Sequence, residues 1–421
     1  MTFYPERSAK RTRTAGFFSF LLLGHIILCS VAWVPEYIDR LGITFAVWGV
    51  VLGLAPIGAI TAIVVTPMLI SRFGITPVIR VSSALTGIFL VPLGLIDNVI
   101  YWAVLHMVFH FMASLTGVCV NAHAVLVQKR VTQPILTGMH AGWSIGAVGA
   151  AVSGGLATLA VPLEYYLLFV AFATIVGFEI CSRDLLSPAE DSHREEQTPN
   201  PLRNFVRIPG RIWLLSFGLL CAVLPEISVL EWSAVLAKET GAVLFVRPIP
   251  FAGFMVGMII GRLSFARITR SLDGGQVASA GASLAAVSMV VGIFGATMLR
   301  DFSAVWATLW MALLWLIAGF GLAPVGPTMM AATSNVAGIG TPQAISVLSF
   351  VTQTISILAK VLMGAIAEAS SVSWAFIIPV GSLLIAAWIA NQVREERNSS
   401  RLEEPSLITA PLPIVVDDSQ R

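Results

Sequence analysis

Residues 15–34 read AGFFSFLLLGHIILCSVAWV and residues 78–96 read VIRVSSALTGIFLVPLGLI. The first stretch holds no Asp, Glu, Lys or Arg, and the second holds a single cation, Arg80. A helix rises about 1.5 Å per residue, so about twenty such residues cross the ~30 Å hydrocarbon core of a bilayer. Runs of this kind recur along the chain, whose 421 residues are 57% apolar and 11% charged with a mean hydropathy of +0.86. No water-soluble domain of this length solvates such a composition. The reading is an all-α integral membrane protein.

The net charge of +2 is too small to suggest nucleic-acid binding, and the basic residues sit in short clusters beside apolar runs and not along one helix face. Cys29, Cys119, Cys181 and Cys221 fall inside or at the ends of apolar runs without a CxxC pair, which reads as buried free thiols. Arg7, Lys10, Arg11 and Arg13 precede the first apolar run as in a signal peptide. That run is too long and lacks an A-x-A-like cleavage site, so it is expected to stay as the first span.

Twelve spans are predicted, starting near Ala15, Thr44, Val78, Ile100, Met139, Pro162, Ile212, Arg247, Gln276, Ala304, Gln343 and Trp374. With both termini cytoplasmic, Arg72, Arg80, Lys129, Arg130, Arg183 and most other cations share that side, and only Arg40, Lys238, Arg247 and Arg300 lie opposite. A polar stretch from Ser182 to Gly210 divides the spans six and six. The expected organisation is a cytoplasmic segment 1–14, a six-helix bundle 15–181, a cytoplasmic linker 182–211, a second bundle 212–391 and a disordered cytoplasmic tail 392–421. The halves echo each other, since the second span ends in TPMLISRFG (66–74) and the eighth in GRLSFAR (261–267). Small residues recur as Gly142, Gly146, Gly149 and Gly154 in the fifth span and as Gly253, Gly257 and Gly261 in the eighth, as helices in close contact require.

On these residues the chain resembles the major facilitator superfamily over about Ala15–Asn391. The superfamily loop G-x-L-x-D-R-x-G is matched at Leu69, Arg72 and Gly74, with Pro67 and Ser71 at the Gly and Asp places; Ala266 precedes Arg267 in the second half. Asn121-Ala122, His140-Ala141-Gly142-Trp143-Ser144-Ile145-Gly146, Glu226-x4-Glu231-Trp232-Ser233 and Gly257-Met258-Ile259-Ile260-Gly261-Arg262-Leu263 look like the MosC-like, fucose-permease-related bacterial subgroup. Gln128 and Lys360 depart from that pattern, where relatives carry Glu and a Gly-Pro pair. The resemblance implies two six-helix bundles in the bacterial inner membrane, with a substrate site between them.

A charge at the bilayer centre costs at least about 2.5–3.5 kcal/mol, so ionisable residues inside spans mark a cavity or a partner. Glu226, after Pro225 in span seven, is a candidate proton or substrate group. Glu231 lies about 140° around the same helix and reads as an outer-gate group, with Trp232 in the aromatic belt. His106 and His110, one turn apart in span four, suit a proton relay or hydroxyl contacts more than a metal, having no adjacent acid. His25 stands alone in span one, with the same open roles. Asn121, His123 and His140 belong at the cytoplasmic ends of spans four and five, as gate groups or interhelical hydrogen-bonders. Lys360 is the sole charge of span eleven until Glu368, needing a carboxylate such as Glu226, a carbonyl or water, or else snorkelling; Gln353 is two turns away on the same face. Trp306 and Trp310 read as membrane anchors before sugar-stacking platforms.

The expected function is a secondary active transporter that moves a small polar organic solute, such as a sugar or cyclitol, by alternating access with proton coupling. The alternatives are a proton-driven exporter of drugs or metabolites and, in another class, a transport-inactive membrane receptor. No Walker motif, clustered Ser/His/Asp set or metal motif supports an ATP-driven pump or an enzyme. No cofactor is expected; the expected partners are a small-molecule substrate, a proton and the bilayer, and the chain is expected to be a monomer.

Overall fold

The computed structural model describes residues 6–130, 135–186, 208–268, 272–333, 336 and 341–403. The long helices among them are α1 (Glu6–Leu28), α2 (Phe45–Phe73), α3 (Ile75–Leu93), α4 (Val99–Arg130), α5 (Leu136–Ala157), α6 (Leu163–Ser182), α7 (Gly210–Glu239), α8 (Ile249–Ile268), α9 (Gly274–Leu299), α10 (Ala304–Leu322), α11 (Thr341–Ala369) and α12 (Ile377–Glu403). Among the described residues, eleven helical stretches are long and apolar enough to cross a membrane, and α5 is a further long helix. Six glycines, His140 and Trp143 lower the hydropathy of α5 without shortening it. The face at which α1 begins and α12 ends is called proximal below, and the opposite face distal.

Local chemistry sets the helix ends. The Thr44 hydroxyl accepts from the Val47 N–H at 3.4 Å to cap α2, and the Asp273 carboxylate accepts from Gly275 and Gln276 N–H to cap α9. Gly74 stands between α2 and α3 at φ +83°, a conformation that a Cβ would strain, which explains the glycine in that loop. Two helices extend beyond the predicted spans. Helix α1 begins at Glu6, so most of the segment expected to precede the first span is helical. Helix α12 continues past Asn391 to Glu403, because residues 392–403 contain no Pro or Gly and Pro405 follows.

In lipid there is no hydrophobic drive between helices, so close packing of small residues must supply the attraction. Both glycine stripes lie against the backbone of a neighbouring helix. A Cβ on Gly146 would sit 2.0 Å from the Leu21 carbonyl of α1, and one on Gly257 would sit 1.9 Å from the Leu316 carbonyl of α10. Gly142, Gly154, Gly253 and Gly261 meet backbone carbonyls in the same way, at 2.6–2.8 Å. Gly149 differs, with only the His25 ring at 3.7 Å. The outer surface carries large apolar side chains such as Tyr165, Phe169, Phe172, Val287, Phe294 and Trp306, which face the bilayer.

Gly146→Ala and Gly257→Ala should each destabilise the purified protein by about 1–3 kcal/mol, the range for overpacking, whereas Gly149→Ala should leave it unchanged. Thermal unfolding of the three variants in one detergent measures the difference; equal stability would disprove the packing role.

Candidate functional site

Helices α7 and α11 bring Glu231 and Lys360 together as an ion pair, with the Lys360 ammonium donating to Glu231 Oε1. Their side chains are 10% and 8% exposed, so the pair is held in low dielectric. Lys360 Nζ also lies 3.4 Å from the Leu52 carbonyl of α2, which ties this second-half pair to the first half. The partner of Lys360 is thus Glu231 and not Glu226. Glu231 Oε2 has no hydrogen-bond partner among the described residues.

Facing the pair is an aromatic wall from α4, α2 and the short helix Val34–Leu41. His106 stacks on Trp102 with ring centroids 4.7 Å apart, and Trp102 packs against Trp48 and Tyr37 at 5.4 and 5.2 Å. The Nε2 atoms of His106 and His110 are 3.1 Å apart, as one turn of helix allows. His106 Nδ1 and Trp48 Nε1 are buried without described partners. These side chains, Leu52 and Glu231 line a cavity of about 70 Å³. It therefore offers ring faces, two imidazoles, an indole N–H and one free carboxylate oxygen. Among the described residues no cluster of His, Cys, Asp or Glu is arranged to hold a metal ion.

Glu226, five residues nearer the proximal face on α7, meets Arg262 of α8 at 3.8 Å. This pair is looser and more open, with side chains 21% and 29% exposed. Arg262 donates to the Ser144 hydroxyl of α5 at 3.0 Å, so this second pair also reaches the other half. Arg262 stands in the Gly257–Leu263 motif of α8, and the available signal was a cation one residue beyond Gly261 in an apolar stretch of that helix.

The remaining candidates are dispersed. His25 Nε2 lies 3.0 Å from the Ser153 hydroxyl, which in turn contacts Tyr166 OH at 2.9 Å, away from the central cavity. Gln353 is half-buried on α11. Asn121 is exposed and donates to the Gly117 carbonyl of its own helix, while His123 accepts from the Leu186 N–H. His140 is exposed and meets the Phe20 ring edge-on at 5.1 Å. Asn121 and His140 thus lie toward the proximal side, apart from Glu231. Trp232 is buried, with the Phe45 ring 6.2 Å away, and is no belt residue. Trp306 and Trp310 are exposed.

No family model matches the sequence. The structure is similar to that of a point mutant of the nucleoside transporter NupG, with a TM-score of 0.72 at 13% identity over 92% of this chain and 99% of that one. The chain has the major facilitator fold. The bacterial homologue of the human lysosomal transporter Spinster, in an inward-facing and occupied conformation, gives 0.64 at 14% identity over 94% of this chain and 98% of that one. Among curated relatives, an uncharacterised MFS-type transporter of Yersinia pestis is 27% identical over 355 residues, 83% of this chain and 88% of the relative. An uncharacterised transporter of Sinorhizobium fredii is 25% identical over 280 residues, 66% of this chain and 73% of the relative. These proteins are transporters and not enzymes, and transport is the activity the similarity supports.

In this major facilitator fold the distal face is stapled across the halves. Lys238 pairs with Asp39, Arg247 pairs with Glu36, and Glu368 accepts from the Phe45 N–H at 2.9 Å. Both cross-half ion pairs made between described residues lie on this face. Combined Glu36→Gln and Asp39→Asn should therefore open it. In a cysteine-free background carrying Leu52→Cys, a membrane-impermeant maleimide added from the distal side should react faster in the opened variant; an unchanged rate would show that the staples do not hold the face shut.

Proposed function

We propose that this chain is a proton-coupled secondary transporter of a small, polar, hydroxyl-bearing organic solute, working by alternating access, with Glu231 and Lys360 as its coupling pair. The carrying observation is the buried Glu231–Lys360 pair at the seam of the two halves, beside a cavity lined by imidazoles and aromatic faces. A buried pair is tolerated only while both charges are answered; removing one partner leaves the other uncompensated at a cost of about 3–5 kcal/mol. A proton on Glu231 neutralises the carboxylate and leaves the buried Lys360 ammonium with the Leu52 carbonyl alone, so the closed seam is destabilised until the lysine finds another acceptor and the halves rearrange. The free oxygen of Glu231 and the unpartnered nitrogens of His106 and Trp48 are the groups a solute hydroxyl would meet, while the ring faces suit its apolar side.

Glu226, half-open toward the proximal side, serves as the next proton site on the route out of the cavity, with Arg262 lending its charge. The imidazole, indole and carboxylate groups beside aromatic faces support a polar, hydroxyl-bearing solute over a wholly apolar drug. In this reading the chain works as a monomer in the bacterial inner membrane, and the proximal face is cytoplasmic.

Proteoliposome uptake of labelled sugars, cyclitols and nucleosides with an imposed proton gradient tests the proposal. Glu231→Gln should abolish gradient-driven accumulation and lower thermal stability. Glu231→Gln with Lys360→Met should restore stability, because the buried charge is gone, yet remain uncoupled. Gradient-driven accumulation at the parent rate by the double variant would refute the role of the pair.

A further inference from the structure

On the proximal side, away from the transport cavity, a groove of about 380 Å³ runs between the start of α1 and the end of α6. Its mouth carries Lys10, Arg11 and Thr14 from α1 and Asp184 just beyond α6. Its floor is apolar: Phe18 lies one turn beyond Thr14, and Ile180 lies one turn before Asp184. Both floor residues are about half exposed, at 48% and 58%, on the outer surface of the bundle. The groove is thus polar at the helix ends and apolar toward the membrane centre. The candidate first span begins at Lys10, which sets the mouth at headgroup depth.

Neither Lys10 nor Arg11 takes an ion-pair partner among the described residues, although Asp184 shares the groove, so the mouth retains a net positive charge. A soluble anion would use the mouth and leave the apolar floor bare. A lipid matches both, with a phosphodiester at the cations and an acyl chain along Phe18 and Ile180.

We propose that this groove is a binding site for an anionic phospholipid of the proximal leaflet. Its phosphodiester is held by Lys10 and Arg11, and a headgroup hydroxyl donates to Asp184. Phosphatidylglycerol has this chemistry: one negative charge, no ammonium, and free hydroxyls. Juxtamembrane cations contribute about 1 kcal/mol each toward an anionic surface, which corresponds to about fivefold in affinity per residue.

The test is lipid retention by the purified full-length protein, read by native mass spectrometry after exchange into mixed micelles containing equal amounts of phosphatidylglycerol, phosphatidylethanolamine and phosphatidylcholine. The parent should retain phosphatidylglycerol in preference to both others. Lys10→Ala with Arg11→Ala should remove that preference, whereas Arg13→Ala, an exposed cation of the same turn outside the groove, should keep it. Thermal unfolding in phosphatidylcholine alone should match the parent for both variants, which separates loss of the site from loss of the fold. Equal retention of the three lipids, or a preference that Arg13→Ala abolishes as completely as the double variant, would overturn the site in favour of diffuse attraction. Retention of phosphatidylethanolamine at the level of phosphatidylglycerol would overturn the anionic requirement. Displacement of the lipid by glycerol 3-phosphate would identify a soluble phosphate as the ligand instead.

Discussion

An ammonium buried in the membrane must be answered on every side, and Lys360 imposes that constraint on the helices around it. Glu231 supplies the counter-charge, and the Leu52 carbonyl supplies a further oxygen from the opposite half. That carbonyl is within reach only because α2 and α11 touch backbone to backbone: a Cβ on Gly49 would lie 2.7 Å from the Lys360 carbonyl and 2.8 Å from Gly364 Cα. The glycines set the approach, the approach sets the oxygen, and the oxygen makes the lysine tolerable. Packing and site chemistry are therefore one arrangement along this seam.

The two acidic residues of α7 occupy different environments although they share a helix. Five residues of helix separate them by about 7.5 Å along the axis and turn them about 140° apart, so one meets α8 and the other α11. The pair nearer the distal face is tight and shielded; the pair nearer the proximal face is long and half-open. The two acids of α7 therefore differ in shelter, one enclosed against α11 and the other more open beside α8.

Much of this was legible in the sequence. Hydrophobic runs located the spans, since length and apolarity are local properties, and eleven of the twelve helices begin within about one turn of the expected residue. The end of α12 was not legible, because solvated polar residues without Pro or Gly read equally as helix or coil. Glu226, Glu231, Lys360 and the His106–His110 pair stood out as ionisable groups in apolar surroundings, for a reason the structure shares. Which of them meet was not legible: helical angles separate Glu226 from Glu231, but choosing Lys360 or Arg262 as partner needs the depth and tilt of other helices. Trp232 illustrates the same limit, since an aromatic residue near a span end satisfies either a membrane belt or a closed interface.

The two distal ion pairs are also asymmetric in sign. Both acids, Glu36 and Asp39, belong to the first half, and both cations, Lys238 and Arg247, belong to the second. Two copies of the same half would set like charges against each other at this edge, whereas unlike halves attract. The rim thereby acts as an assembly code: if the chain were split in the linker and its halves made as separate polypeptides, this edge would favour the native pairing of one first half with one second half over pairing of either half with its own kind.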